Sequence, residues 1–191
     1  MKNIRQQIGG LGNLMFKQAF IIGQVLDGVI PDIYLQSEKY WVKHRDTIKA
    51  TFNWGIGHDD RIALHIRRGD YVDNSFYIDL TKTDYYDKAL AVFPNEKFLI
   101  FCADRQGRDG KDRIWCRNWA KNKGIDFEMW YSESETEDLN KMASCKGIIG
   151  ANSSFSWWAA FLSNNAKCVF PKDWFSDGVQ RIDLLDEWIK L

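Results

Sequence analysis

Between residues 61 and 170, short apolar segments alternate with stretches of helical spacing, and that alternation restricts the fold to one class. The apolar segments are 61–66, 97–102, 127–131, 147–150 and 167–170. Runs of four to six such residues bounded by polar ones read as buried strands. The intervening stretches 83–93, 109–123, 134–145 and 153–162 read as helices. Thr83 is a predicted N-cap, and Ser134 with Glu137 forms a predicted capping box. Strands alternating with helices pack as right-handed crossovers on a parallel sheet with helices on both faces, so the fold class is α/β. Upstream, a strand at 4–8, a turn at Gly9-Gly10-Leu11-Gly12-Asn13 and a helix over 14–26 are expected. A further strand is expected at 33–35, and a helix over 184–190 closes the chain.

Charge and cysteine usage exclude several partners. Lys+Arg and Asp+Glu are equal at 26 each, and the basic residues are scattered. A nucleic-acid or anionic-membrane partner calls for a concentrated basic field, so neither is expected. Cys102, Cys116, Cys145 and Cys168 form no CxxC pair and no zinc pattern, which predicts free thiols in a reducing compartment. No run approaches the roughly 18 apolar residues that span a bilayer, and no signal peptide is visible. A soluble, cytoplasmic protein is the expectation.

Ligands of open α/β sheets gather where strands end, and three predicted strand ends carry suitable residues. After Ile66, Arg67 and Arg68 offer forked, permanently charged donors suited to a diphosphate. Gly69 permits a close turn, and Asp70 is placed to orient an arginine or take a proton. After Gly150, Asn152-Ser153-Ser154-Phe155-Ser156-Trp157-Trp158 joins serine hydroxyls to a helix N-terminus, a phosphate cradle. The other reading of that segment is a serine cap followed by core tryptophans. After Cys102, Asp104 reads either as a carboxylate that accepts two N–H bonds from a guanine or as a loop aspartate in a turn. Gly10, Gly12 and Asn13 lie at a further strand-to-helix turn, which reads either as an anion-facing loop or simply as a tight turn between strand and helix. The other reading of Arg67–Asp70 is a solvated ion-pair cluster. Asp59-Asp60 is assigned to a loop, and His44 and His58 to the surface.

Taken together and in order, Gly9–Asn13 with Met15-Phe16, the run His65-Ile66-Arg67-Arg68-Gly69-Asp70-Tyr71, Tyr85-Tyr86 and the Asn152–Trp158 run resemble the motifs of glycosyltransferase family 11, the α-1,2-fucosyltransferases. The resemblance implies a GT-B-like architecture of Rossmann-like halves. Residues 1–60 would form a reduced acceptor-side half and 61–191 the half that binds a GDP-sugar. It implies an inverting transferase moving fucose from GDP-fucose to a glycan acceptor, the 2-OH of a β-galactoside, without cofactor or metal. Arg67 and Arg68 would contact the diphosphate, His65 and Asp104 the guanine and ribose, Ser154 and Phe155 the β-phosphate, and Asn13 the fucose and acceptor. Gly10, Gly12, Asn152 and Ser153 would complete the donor site. Asp70 would orient Arg68 or take the acceptor proton, with Asp73 a second candidate. Two alternatives stand beside this: a GDP-sugar-binding module without transfer, and a fucosyltransferase of different linkage. A homo-oligomer is compatible with either.

Overall fold

A computed structural model describes residues 10–27, 37–72, 74–102, 110–164 and 166–191. The first helix, α1 (Leu11–Asp27), is followed by two short 3-10 turns and by α2 (Arg45–Thr51). The sheet then begins. The order is β1 (Asp59–His65), α3 (Tyr85–Ala91), β2 (Phe98–Phe101), α4 (Lys111–Lys123), β3 (Phe127–Met129), α5 (Glu135–Ser144), β4 (Cys145–Ile149), α6 (Ser154–Leu162), β5 (Lys167–Phe170) and β6 (Ile189–Lys190). All six strands are parallel, in the order β3-β2-β1-β4-β5-β6. This is the strand order of Rossmann-type doubly wound sheets, whose direction of winding reverses between the first and fourth strands.

Strand periodicity divides the core in two. Ile62, Leu64 and Ile66 of the β1 segment join Phe98, Ile100, Ile149 and Val169 under α3 and α4. Ala63, Leu99, Phe101, Ile148, Cys168 and Phe170 face the other way, under α1, α2, α5 and α6. The helix that follows β1 and the helix that follows β4 therefore lie on opposite faces of the sheet. On the second face Trp41, Trp157 and Trp158 are fully buried. Trp41 stacks on Trp158 at 5.6 Å, and Phe16 of α1 sits 4.7 Å from Trp157. The tryptophan pair of α6 is core, and it fastens α1 and the segment around Trp41 to the sheet. All four cysteines are buried free thiols.

Most predicted elements fall within a few residues of the observed ones. Of the predicted capping box only one half forms, Ser134 accepting from the Glu137 N–H, while the Ser134 N–H and the Glu137 carboxylate both bond the Ser132 hydroxyl instead. Some expectations are corrected. The glycine-rich turn is shorter than expected, because α1 already begins at Leu11 and takes in Gly12 and Asn13. Residues 184–190 are a turn leading into β6, not a helix: Ile189 pairs with Val169, and Trp188 stacks on Phe170 at 4.7 Å. The open edge of β5 fixes this segment more strongly than its helical periodicity does. Asp59 opens β1 rather than lying in a loop, and Lys141 lies 2.6 Å from its carboxylate. Hydrogen bonding from Arg61, and then from that lysine, holds the carboxyl below its ordinary range against the opposing effect of burial. The boundary drawn at residue 60 falls inside β1. The strands expected at 4–8 and 33–35 lie outside the described residues. No helix among the described residues is long and apolar enough to cross a membrane.

Truncating a fully buried aromatic leaves a cavity as well as removing apolar contact, at a cost of about 3–5 kcal/mol. Trp158→Ala is expected to lower unfolding free energy by that amount in urea titration, with Trp54→Ala, at the exposed edge of the same cluster, costing much less.

Candidate functional site

Adjacent parallel strands whose following helices diverge leave a crevice beyond their C-terminal ends, and ligands settle there. In this sheet the crevice lies between β1 and β4. Three sequence motifs meet in it. The Tyr71 hydroxyl donates to the Asn152 carbonyl across the gap at 3.1 Å. The His65 ring lies 6.0 Å from that of Phe155. A Cβ added to Gly12 would stand 2.7 Å from Ser154 and 2.8 Å from the Phe155 nitrogen. Gly12 is therefore required for α1 to approach the first turn of α6. Gly10 is exposed and Asn13 half-buried beside it.

The two arginines are held differently. Arg68 Nε donates to Asp112 Oδ1 at 3.0 Å, and its guanidinium lies 3.9 Å from the centre of the Trp115 ring. The other oxygen of Asp112, a residue only 1% exposed, accepts from the Gly69 N–H at 3.0 Å. Gly69 adopts φ +55, a left-handed conformation that glycine enters without Cβ strain. One buried carboxylate on the first turn of α4 thus fixes both the second arginine and the turn that follows it. Arg67 is more open. It pairs with Asp70 at 2.6 Å and lies over the Tyr71 ring, and its Nε is buried without a partner. Asp70 accordingly steadies Arg67 rather than Arg68, because Asp112 already occupies the Arg68 Nε.

His65 ends β1 and is buried, with Nδ1 lacking a partner. Burial, and then the Arg67 charge, push its pKa down to about 3, so the imidazole is neutral at physiological pH. The strand ends are fixed from α3: Tyr86 donates to the His65 carbonyl at 3.0 Å, and Tyr85 donates to the Gly150 carbonyl at 2.6 Å. On the far side of the crevice Ser153 caps α6 by accepting the Phe155 N–H at 3.3 Å. Ser156 is fully buried, its hydroxyl accepting from the Ala151 N–H. Asn152 donates its amide to the carbonyls of Ile78 and Trp174, so its side chain secures neighbouring loops. The start of α6 turns its first amides and positive dipole end toward this region. Asp104 and Asp73 lie outside the described residues. The importance of Asp112 and Trp115 does not show in the sequence, where each is one polar or aromatic residue on a helix. Tyr85 and Tyr86 belong to the motifs noted there, but their bonds to the strand ends do not show. His58 is exposed, 2.9 Å from Asp60.

The model of glycosyl transferase family 11 matches residues 37–191. An O-antigen biosynthesis glycosyltransferase of Escherichia coli, WbnK, is 33% identical over 139 residues, covering 68% of this chain and 44% of the relative. An alpha-1,2-colitosyltransferase of Escherichia coli is 27% identical over 166 residues, covering 74% of this chain and 54% of the relative. The chain thus spans about half the length of these curated relatives. No solved structure matches significantly. On the family match the chain belongs to glycosyltransferase family 11.

Two outcomes follow from the site's electrostatics. Removing one partner of a buried ion pair costs about 3–5 kcal/mol, whereas replacing both by apolar groups is often near neutral. Asp112→Ala is expected to destabilise by that amount in denaturant titration, and the double variant Asp112→Leu with Arg68→Leu to recover most of it. The depressed pKa of His65 also sets a pH dependence. Below the ordinary value of 6.5 the unfolded chain takes up a proton that folded His65 refuses, so stability rises with pH and falls on acidification. The expected slope from this group approaches about 1.4 kcal/mol per pH unit. Denaturation midpoints measured between about pH 6 and 4.5, above most carboxylate titrations, should lose that slope in His65→Gln.

Proposed function

We propose that this member of the family binds GDP-fucose in the β1/β4 crevice and transfers the fucose, with inversion, to a glycan hydroxyl, the 2-OH of a β-galactoside. The observation that carries this reading is the placement of Arg67 and Arg68 at the point where the sheet's winding reverses, across from the first turn of α6. A diphosphate in the crevice meets guanidinium donors on one side and helix amides on the other, both in place before reaction.

In this reading the bond between the sugar C1 and the β-phosphate oxygen breaks, and GDP leaves with the electron pair. Arg67 and the α6 amides stabilise the charge that develops on the departing phosphate, while Arg68, fixed by Asp112, holds the loop and adds its field. The sugar carbon becomes oxocarbenium-like, and the acceptor oxygen attacks from the opposite side. The acceptor proton passes to Asp70, which is half-exposed and already carries the Arg67 ion pair, or to solvent. His65, neutral in the fold, lends a hydrogen bond and not a charge toward the nucleoside. Arginines in these positions make the reaction independent of a divalent metal. The colitosyltransferase relative supports a second donor sugar, colitose. The coverage of only about half of either relative supports a second class of function, a donor-binding module that transfers only with a partner.

Calorimetric titration with GDP, GDP-fucose and UDP, then a donor-hydrolysis assay with and without EDTA, tests the proposal. Selective GDP binding with turnover unchanged by EDTA is expected, and Arg67→Ala should weaken GDP by tenfold or more without altering the unfolding midpoint, since charge-assisted bonds to phosphate contribute about 1.5–3 kcal/mol. Binding without turnover favours the module. No binding of any nucleotide overturns the reading.

A further inference from the structure

A nucleoside diphosphate whose phosphates lie between β1 and β4 has two directions in which to lay its nucleoside. The β4–β5 side is filled by protein. There Asn152 bonds the carbonyls of Ile78 and Trp174, Tyr71 stacks on Tyr77 at 4.0 Å, and Tyr77 bridges to Phe175. The other direction runs over the ends of β2 and β3. β3 lies two strands from β1, roughly 10 Å at ordinary strand spacing.

At that end two of the described residues, Tyr131 and Arg113, pair with each other. Tyr131, two positions beyond β3, is 62% exposed, an unusual degree for an aromatic beside a sheet. Arg113, on the first turn of α4, lays its guanidinium 3.9 Å from the centre of the Tyr131 ring, and its Nε–H is buried with no partner. Arg113 directly follows Asp112, the residue that anchors Arg68 and Gly69. The same helical turn therefore fixes the arginine motif and presents this cation–aromatic pair two strands further out.

We propose that Arg113 and Tyr131 form the nucleoside end of the donor site, an inference that rests on the donor reading above. The base stacks on the open face of the Tyr131 ring, whose position the Arg113 guanidinium holds from the opposite face. Aromatic stacking of a base is sequence-tolerant but grows with the size of the base face, so this pair favours a purine. Selection of guanine among purines falls to other groups.

The test is titration of the full chain and its variants with GDP and UDP, with thermal midpoints as the folding control. Tyr131→Ala is expected to weaken GDP by about tenfold, UDP by clearly less, and to leave the midpoint unchanged. Tyr131→Phe keeps the ring and should bind GDP as the parent does, whereas Arg113→Ala should weaken GDP. Arg67→Ala, by contrast, should weaken GDP and UDP alike. If the parent binds GDP and neither Tyr131→Ala nor Arg113→Ala differs from it, the nucleoside lies elsewhere and this inference fails alone. If Tyr131→Phe loses as much as Tyr131→Ala, the hydroxyl and not the ring is at work, which also overturns stacking. A parent that binds neither nucleotide overturns the donor reading and this inference together.

Discussion

β1 and β4 lie side by side, yet the helix after one packs on the opposite face from the helix after the other. That divergence is a consequence of parallel strands with right-handed crossovers wound in two directions from a common centre. It leaves two strand ends uncovered at the middle of the sheet, with loop backbone and a helix N-terminus facing the gap. The remaining features of the site serve to hold that gap in shape. Tyr85 and Tyr86 bond the final carbonyls of both central strands from α3, and Gly12 admits α1 against the opening turn of α6. The buried tryptophans of α6 fasten that helix to the second face.

Within the gap, charge is divided between an anchored and an available cation. The Arg68–Asp112 pair is almost wholly removed from water, and both carboxylate oxygens are in use. Such a pair is a weak source of stability but a strong constraint on geometry, because breaking it strands a buried charge. Arg67 keeps more solvent contact and an unpartnered Nε. For the diphosphate proposed above, Arg67 is the cation with donors to offer, and Arg68 with Asp112 fixes the loop that carries it. Holding donors in place before the ligand arrives removes the reorganisation that water would require.

The sequence made the architecture legible because buried parallel strands are written as unbroken apolar runs, as in Phe98–Phe101 and Cys168-Val169-Phe170. The site motifs were legible for a related reason: Gly69, Arg67 and Ser153 combine residue types that only a strand exit or a helix cap uses well. What failed to show depends on distant parts of the chain. Asp112 reads as one acid on a polar helix until Arg68 and Gly69 are brought to it from more than forty residues away. Residues 184–190 carry helical periodicity, but the free edge of β5 supplies hydrogen bonds that periodicity cannot foresee. Asp59 is held by Arg61, its neighbour along β1, and by Lys141 of α5, and only the second of these partners is distant in sequence. Local pattern records burial and turns, whereas charge pairing and edge pairing belong to the assembled fold.

The central claim is that the crevice between β1 and β4 holds the diphosphate. A crystal structure of the chain with GDP tests it most directly. The account predicts the β-phosphate within hydrogen-bond distance of the Arg67 guanidinium and of the first amides of α6, with Asp112 still bridging Arg68 and Gly69. GDP bound away from that crevice, or phosphates contacting neither Arg67 nor α6, would contradict it.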